Sequence, residues 1–137
     1  LAQRALDELA GVAVILDAGA LIGYERGDLA VRALLETAQR ERAPVRTSTG
    51  AVAQAWRNGA RQVHLVRLLR GVDERPLDQP AARRVGQLLG SAATVDVIDA
   101  AVIDIATNGD EVLTSDPQDL AVLANAAGKR LTIIKVG

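Results

Sequence analysis

Short apolar runs separated by stretches with helical periodicity are the feature that most constrains this fold. The run VAVIL at 12–16 has no polar residue with which to face water, so it predicts a strand buried on both faces. EVLT at 111–114 and LTIIKV at 131–136 predict two more, the last as a buried closing strand. VRTST at 45–49 reads as a short β-prone segment and 71–76 as a turn or short strand. Between them lie helical patterns. A first stretch follows Asp17, and a second covers 29–42 with Val31, Leu34, Leu35 and Ala38 on one side. Others are expected over 51–69, 80–89, 95–107 and 119–127, with NGD at 108–110 as a turn and Gly128 as a stop. Alternation of this kind predicts a mostly parallel sheet covered by helices on both faces.

The 137 residues suit one domain spanning 1–137. Residues 1–11, too charged for a signal peptide, read as an N-terminal extension or an expression remnant. With no Phe and no Met, the core has to be built from Val, Ile, Leu and Ala. Without cysteine there is no disulfide, no thiolate zinc site and no thiol nucleophile. No apolar run approaches the ~20 residues that span a membrane, and a cytoplasmic location is expected. Sixteen basic residues against seventeen acidic ones remove the bulk positive charge of a generic nucleic-acid binder. Any such binding must come from a local patch.

In a parallel α/β sheet, ligands gather where the strands end, and two of the clearest strands here end in aspartate. Asp17 closes the first, and Asp116 follows 111–114 with Asp119 close behind. Asp96 and Asp99 open the helix expected over 95–107. Carboxylates converging on one rim repel and raise one another's pKa unless a cation intervenes. Mg²⁺ is the natural cation for an all-oxygen donor set. Each residue also has a plainer role: Asp96 as an N-cap, Asp119 as a cap after Pro117, Asp17 as a turn former. Asp104 and Asp110 read as solvated surface.

The segments VILDAGALI (14–22), DVIDAAVI (96–103) and VLTSDPQDL (112–120) resemble, in order and spacing, the motifs of PIN-domain proteins, especially VapC-type toxins of toxin–antitoxin systems. The resemblance runs from about 12 to 136. It implies a three-layer α/β/α sandwich with a central, mostly parallel sheet. It also implies an acidic pocket for Mg²⁺ or Mn²⁺ and endonucleolytic cleavage of RNA. By motif position Asp17, Asp99 and Asp116 would be metal ligands and catalytic residues, with Asp96 and Asp119 auxiliary. A homodimer and a cognate antitoxin are implied by the family alone.

One position departs from the pattern. In VAQAWR (52–57), Gln54 stands where the family normally has a catalytic glutamate. An amide oxygen coordinates weakly and is a poor proton acceptor, so a weakened or silent PIN-fold binding module is the alternative reading. On a continuous 51–69 helix, Arg57, Arg61, His64 and Arg67 would share about a third of the circumference. They would then be a phosphate-contacting face or a solvated one. Trp56 reads as core or interface. Thr114 and Ser115 could hydrogen-bond water or, more simply, a turn. Two other Asp-based folds fit poorly. A haloacid-dehalogenase-type phosphatase wants a second carboxylate at Gly19, and a receiver domain wants paired acids at the first strand end.

Overall fold

The computed structural model describes residues 12–137, so the extension read over 1–11 lies outside the described residues. β1 (Val14–Leu16) is buried at every position because it is the middle of the sheet. β2 (Val45–Ser48) flanks it on one side and β4 (Glu111–Thr114) on the other. β3 (Asp73–Arg75) and β5 (Thr132–Lys135) form the edges, giving the order β3-β2-β1-β4-β5 with every pairing parallel. Leu16 lies opposite both Thr47 and Leu113, which brings the carboxyl ends of the three central strands to one rim. The Thr47 hydroxyl donates to the Leu16 carbonyl at 2.6 Å, pinning that register from a fully buried position.

Among the described residues seven helices cover the sheet: α1 (Ala18–Glu25), α2 (Leu29–Arg40), α3 (Thr49–Ala55), α4 (Val63–Leu69), α5 (Gln79–Ala92), α6 (Val97–Ile105) and α7 (Pro117–Ala126). Side-chain oxygens start most of them. Asp17, Asp28, Ser48, Asp78 and Asp96 each accept the backbone N–H three residues on, satisfying donors that a helix leaves orphaned. Helix α1 packs on α2, α3 and α4, while α5, α6 and α7 pack on one another, and α3 meets α6 between the two sets. The core is aliphatic, with Ile15, Leu16, Leu21, Val102, Ile103, Val112, Leu113 and Leu120 essentially inaccessible. The PIN-like architecture expected from the motifs is therefore present, with a sheet that is wholly parallel.

Four local expectations are corrected. The helix over 51–69 is two helices, α3 and α4, because the Gln62 side chain builds a loop between them. Its Oε1 accepts from Arg57 N at 2.7 Å and Asn58 N at 2.9 Å, and its Nε2 donates to Ala55 O at 2.9 Å. The closing strand β5 is an edge strand with its end residues exposed; apolar composition alone does not distinguish an edge from a centre. Asp110 is only 1% exposed. It accepts from Ala13 N at 2.9 Å and from Thr107 N and Oγ1 at 2.9 and 3.3 Å. Asp104 is held by Arg84, whose Nε and Nη2 reach its two oxygens at 2.9 and 3.1 Å, so α5 and α6 are joined by a forked ion pair.

Candidate active site

Asp17 sits one residue beyond β1, where the chain turns from strand to helix. Its Oδ1 caps α1 by accepting from Ala20 N at 2.8 Å, and the residue is 4% exposed. Burial pushes its carboxyl upward. That rise is opposed by the Thr114 hydroxyl and by the backbone N–H groups of Ala20, Ser115 and Gly19. Thr114 is fully buried at the end of β4, and its oxygen in turn accepts from Asp116 N at 2.8 Å. One hydroxyl therefore bridges Asp17 and the backbone that sets Asp116. Gly19 is required for this approach, because a Cβ there would collide with the Ser115 side chain.

Asp99 enters from the other side, in the first turn of α6. Its carboxyl is pushed up to about 7, first by burial and then by the charges of Asp96, Asp17, Asp116 and Asp119. Asp96 is the N-cap of that helix and accepts from Asp99 N at 3.0 Å. Its plainer role is real, and its charge also acts on Asp99. Asp116 precedes α7 and Asp119 lies in that helix's first turn. Asp119 is raised by a hydrogen bond to the Asp116 carboxylate and by its charge. One oxygen from each of Asp99, Asp116 and Asp119 lies within 4.8 Å of the other two. Asp119, read as auxiliary, thus joins the convergent triplet, while Asp17 stands behind it with its oxygens engaged by backbone and Thr114.

Three carboxylates this close, with Asp99 and Asp119 raised by their neighbours, form a donor set that a hard divalent cation fits. Every available donor is oxygen, and a divalent charge would relieve the repulsion that raises Asp99.

Gln54 is exposed on α3, the helix packed between α1 and α6, which carry Asp17 and Asp99. Its amide makes no hydrogen bond among the described residues. Arg57, Arg61 and His64 do not share one helix face, because α3 ends before Arg57 and α4 begins after Arg61. Arg57 Nη1 folds back on the carbonyls of Ala53 and Trp56, at 3.3 and 2.7 Å. Arg61 and His64 are exposed. The sequence reading missed the pairing of Thr114 with Asp17. Its signal was a hydroxyl residue two positions before a strand-end aspartate.

A structural relative shares this arrangement of elements. A chain in the crystal structure of VapBC2 from Rickettsia felis, bound to a DNA fragment from its promoter, superposes with a TM-score of 0.65. The match covers 90% of this chain and 98% of that one at 11% identity, a likeness of fold rather than of sequence. No family model matches the sequence, and no curated protein does.

Proposed function

We propose that this chain is an Mg²⁺- or Mn²⁺-dependent endoribonuclease of the VapC kind, the toxin of a toxin–antitoxin pair. The observation that carries the reading is the convergence of Asp99, Asp116 and Asp119 in front of buried Asp17, at the carboxyl ends of adjacent parallel strands. The VapBC2 likeness supports the antitoxin partner, since that relative was crystallised as a VapBC complex. Among the described residues no helix is long and apolar enough to cross a membrane.

The ion would be held by Asp99 and Asp116, with Asp119 and Asp17 completing the negative shell. When bound it supplies a Lewis acid for a phosphodiester and lowers the pKa of water. The chain's own contribution is placement and proton handling. Asp17 is fixed by its cap and by Thr114, so its negative charge does not wander. Asp99, raised to about 7 by burial and the neighbouring carboxylates, would give up its proton to the solvent as the ion arrives and so become a ligand. Asp116 and Asp119 hold a hydrogen bond between their carboxyl oxygens, an arrangement that releases a proton as positive charge arrives.

Gln54 favours the second reading, a weakened or silent module, because an exposed amide where the motif expects a carboxylate neither adds charge nor takes a proton. The test is cleavage of an RNA panel with Mg²⁺ or Mn²⁺ by the chain, by Gln54→Glu and by Asp99→Asn. The enzyme reading expects slow cleavage by the chain, faster cleavage by Gln54→Glu and none by Asp99→Asn. Inactivity of both the chain and Gln54→Glu at saturating metal refutes it and leaves the silent module. Gel filtration tests the proposed homodimer, and co-expression with the neighbouring reading frame tests the antitoxin.

A further inference from the structure

Trp56 is the one tryptophan in the chain and is 40% exposed. An indole left that open forgoes burial, yet its seat is built. The loop that carries it is tied by the three hydrogen bonds of the Gln62 side chain. Gly59 comes so close that a Cβ there would stand 2.8 Å from Trp56 Cζ2. The benzo edge of the ring therefore rests on a backbone that only glycine permits, and the rest of the side chain is offered outward. Charge accompanies it. From 42 to 72 the chain holds six arginines and a histidine and no aspartate or glutamate, although the whole chain carries a net charge of −1. Arg61, in the same loop, is exposed and has no side-chain acceptor among the described residues. The loop is one helix length, ~10 Å, beyond the rim where α3 starts.

We infer that Trp56 is a stacking platform for one base of single-stranded RNA, with Arg61 beside the phosphate backbone; the inference rests on the ribonuclease reading. An aromatic surface held rigidly beside an exposed arginine is a combination by which proteins grip single strands with little sequence preference. The acidic rim repels a polyanion wherever no cation sits, so affinity has to come from outside it. The platform supplies that affinity and fixes which phosphate reaches the carboxylates.

The sole indole makes its own probe. Octamers of U, A or C are titrated into the chain in EDTA, where metal-dependent hydrolysis cannot run, and tryptophan emission is followed. Saturable quenching is expected. Trp56→Ala should weaken binding, read by fluorescence anisotropy of labelled RNA, between about five- and a hundredfold with an unchanged salt slope. Trp56→Phe, with a thermal melt confirming its fold, should retain most of the affinity. Arg61→Ala should lower the salt slope by about one. Equal binding by the chain and Trp56→Ala overturns the inference. So does emission that changes with protein concentration and not with RNA, which would mark a protein interface. Quenching without any cleavage in Mn²⁺, by the chain or by Gln54→Glu, would keep the platform and sink the ribonuclease reading. Cleavage with no quenching would do the reverse.

Discussion

Two buried aspartates lie at opposite ends of the same pair of strands, and they are held for different ends. Asp110, just before β4, spends its carboxylate on Ala13 and Thr107, joining the start of β4 to the start of β1. Asp17, just after β1, is also hydrogen-bonded, but its charge is one of those that raise Asp99. Burial of a carboxylate is therefore not the mark of a site. The mark is burial in company: a saturated lone acid is a fastener, whereas acids that raise one another await a cation.

Removing the fastener should have the largest effect on stability. Asp110→Ala leaves the buried Ala13 N–H and the half-buried Thr107 N–H unpaired and is expected to cost about 3 kcal/mol, a fall of roughly 10 °C in Tm. Cleavage per folded molecule should be unchanged. Loss of cleavage in a fully folded variant would erase the contrast between the two ends. The rim should respond to metal instead. Mg²⁺ or Mn²⁺ at a hundred times its Kd should stabilise the chain by about 2.7 kcal/mol in a thermal melt, and that gain should vanish in Asp99→Asn and survive in Asp110→Ala.

Smaller, and opposite in sign to ordinary core damage, is the effect of Asp99→Asn without metal. The Asp99 carboxyl rises from its usual 3.8 to about 7 in the fold, so the native state binds more protons than the unfolded chain between those values. Stability from this group is then fully present below about pH 4 and is lost as pH rises through 7. In EDTA the variant should be more stable above pH 7, on the order of 1–2 kcal/mol after solvent screening, with the advantage shrinking to nothing near pH 4. A variant equally stable at both pH values would mean that the rim acids do not strain the fold. The smallest expected change belongs to Arg84→Ala. That ion pair joins a 58% exposed guanidinium to a side chain that is 11% exposed, and its loss should cost under about 1 kcal/mol in a denaturant titration.

The same comparison explains what could be read from the sequence. Asp17 and Asp116 declare themselves because a strand-end acid is a local pattern, as are the apolar runs that became β1 and β4. Asp119 lies three residues after Asp116 on a helix start, within reach by helical spacing alone. Asp110 looked like turn surface because its decisive partner, Ala13, is 97 residues away. The break between α3 and α4 was hidden for another reason. Apolar periodicity continues across it, and the interruption comes from an amide side chain bonding to loop backbone. The edge position of β5 depends on sheet order, which no single strand encodes.

The central place of β1 has a consequence in time. Its two flanks are β2, reached early in the chain, and β4, nearly a hundred residues later. Such long-range parallel pairing is slow to form and comes late in the birth of the chain. During synthesis, Asp17 emerges long before Asp116 and Asp119 exist to face it. A nascent chain on the ribosome therefore has no assembled rim until α7 has been made.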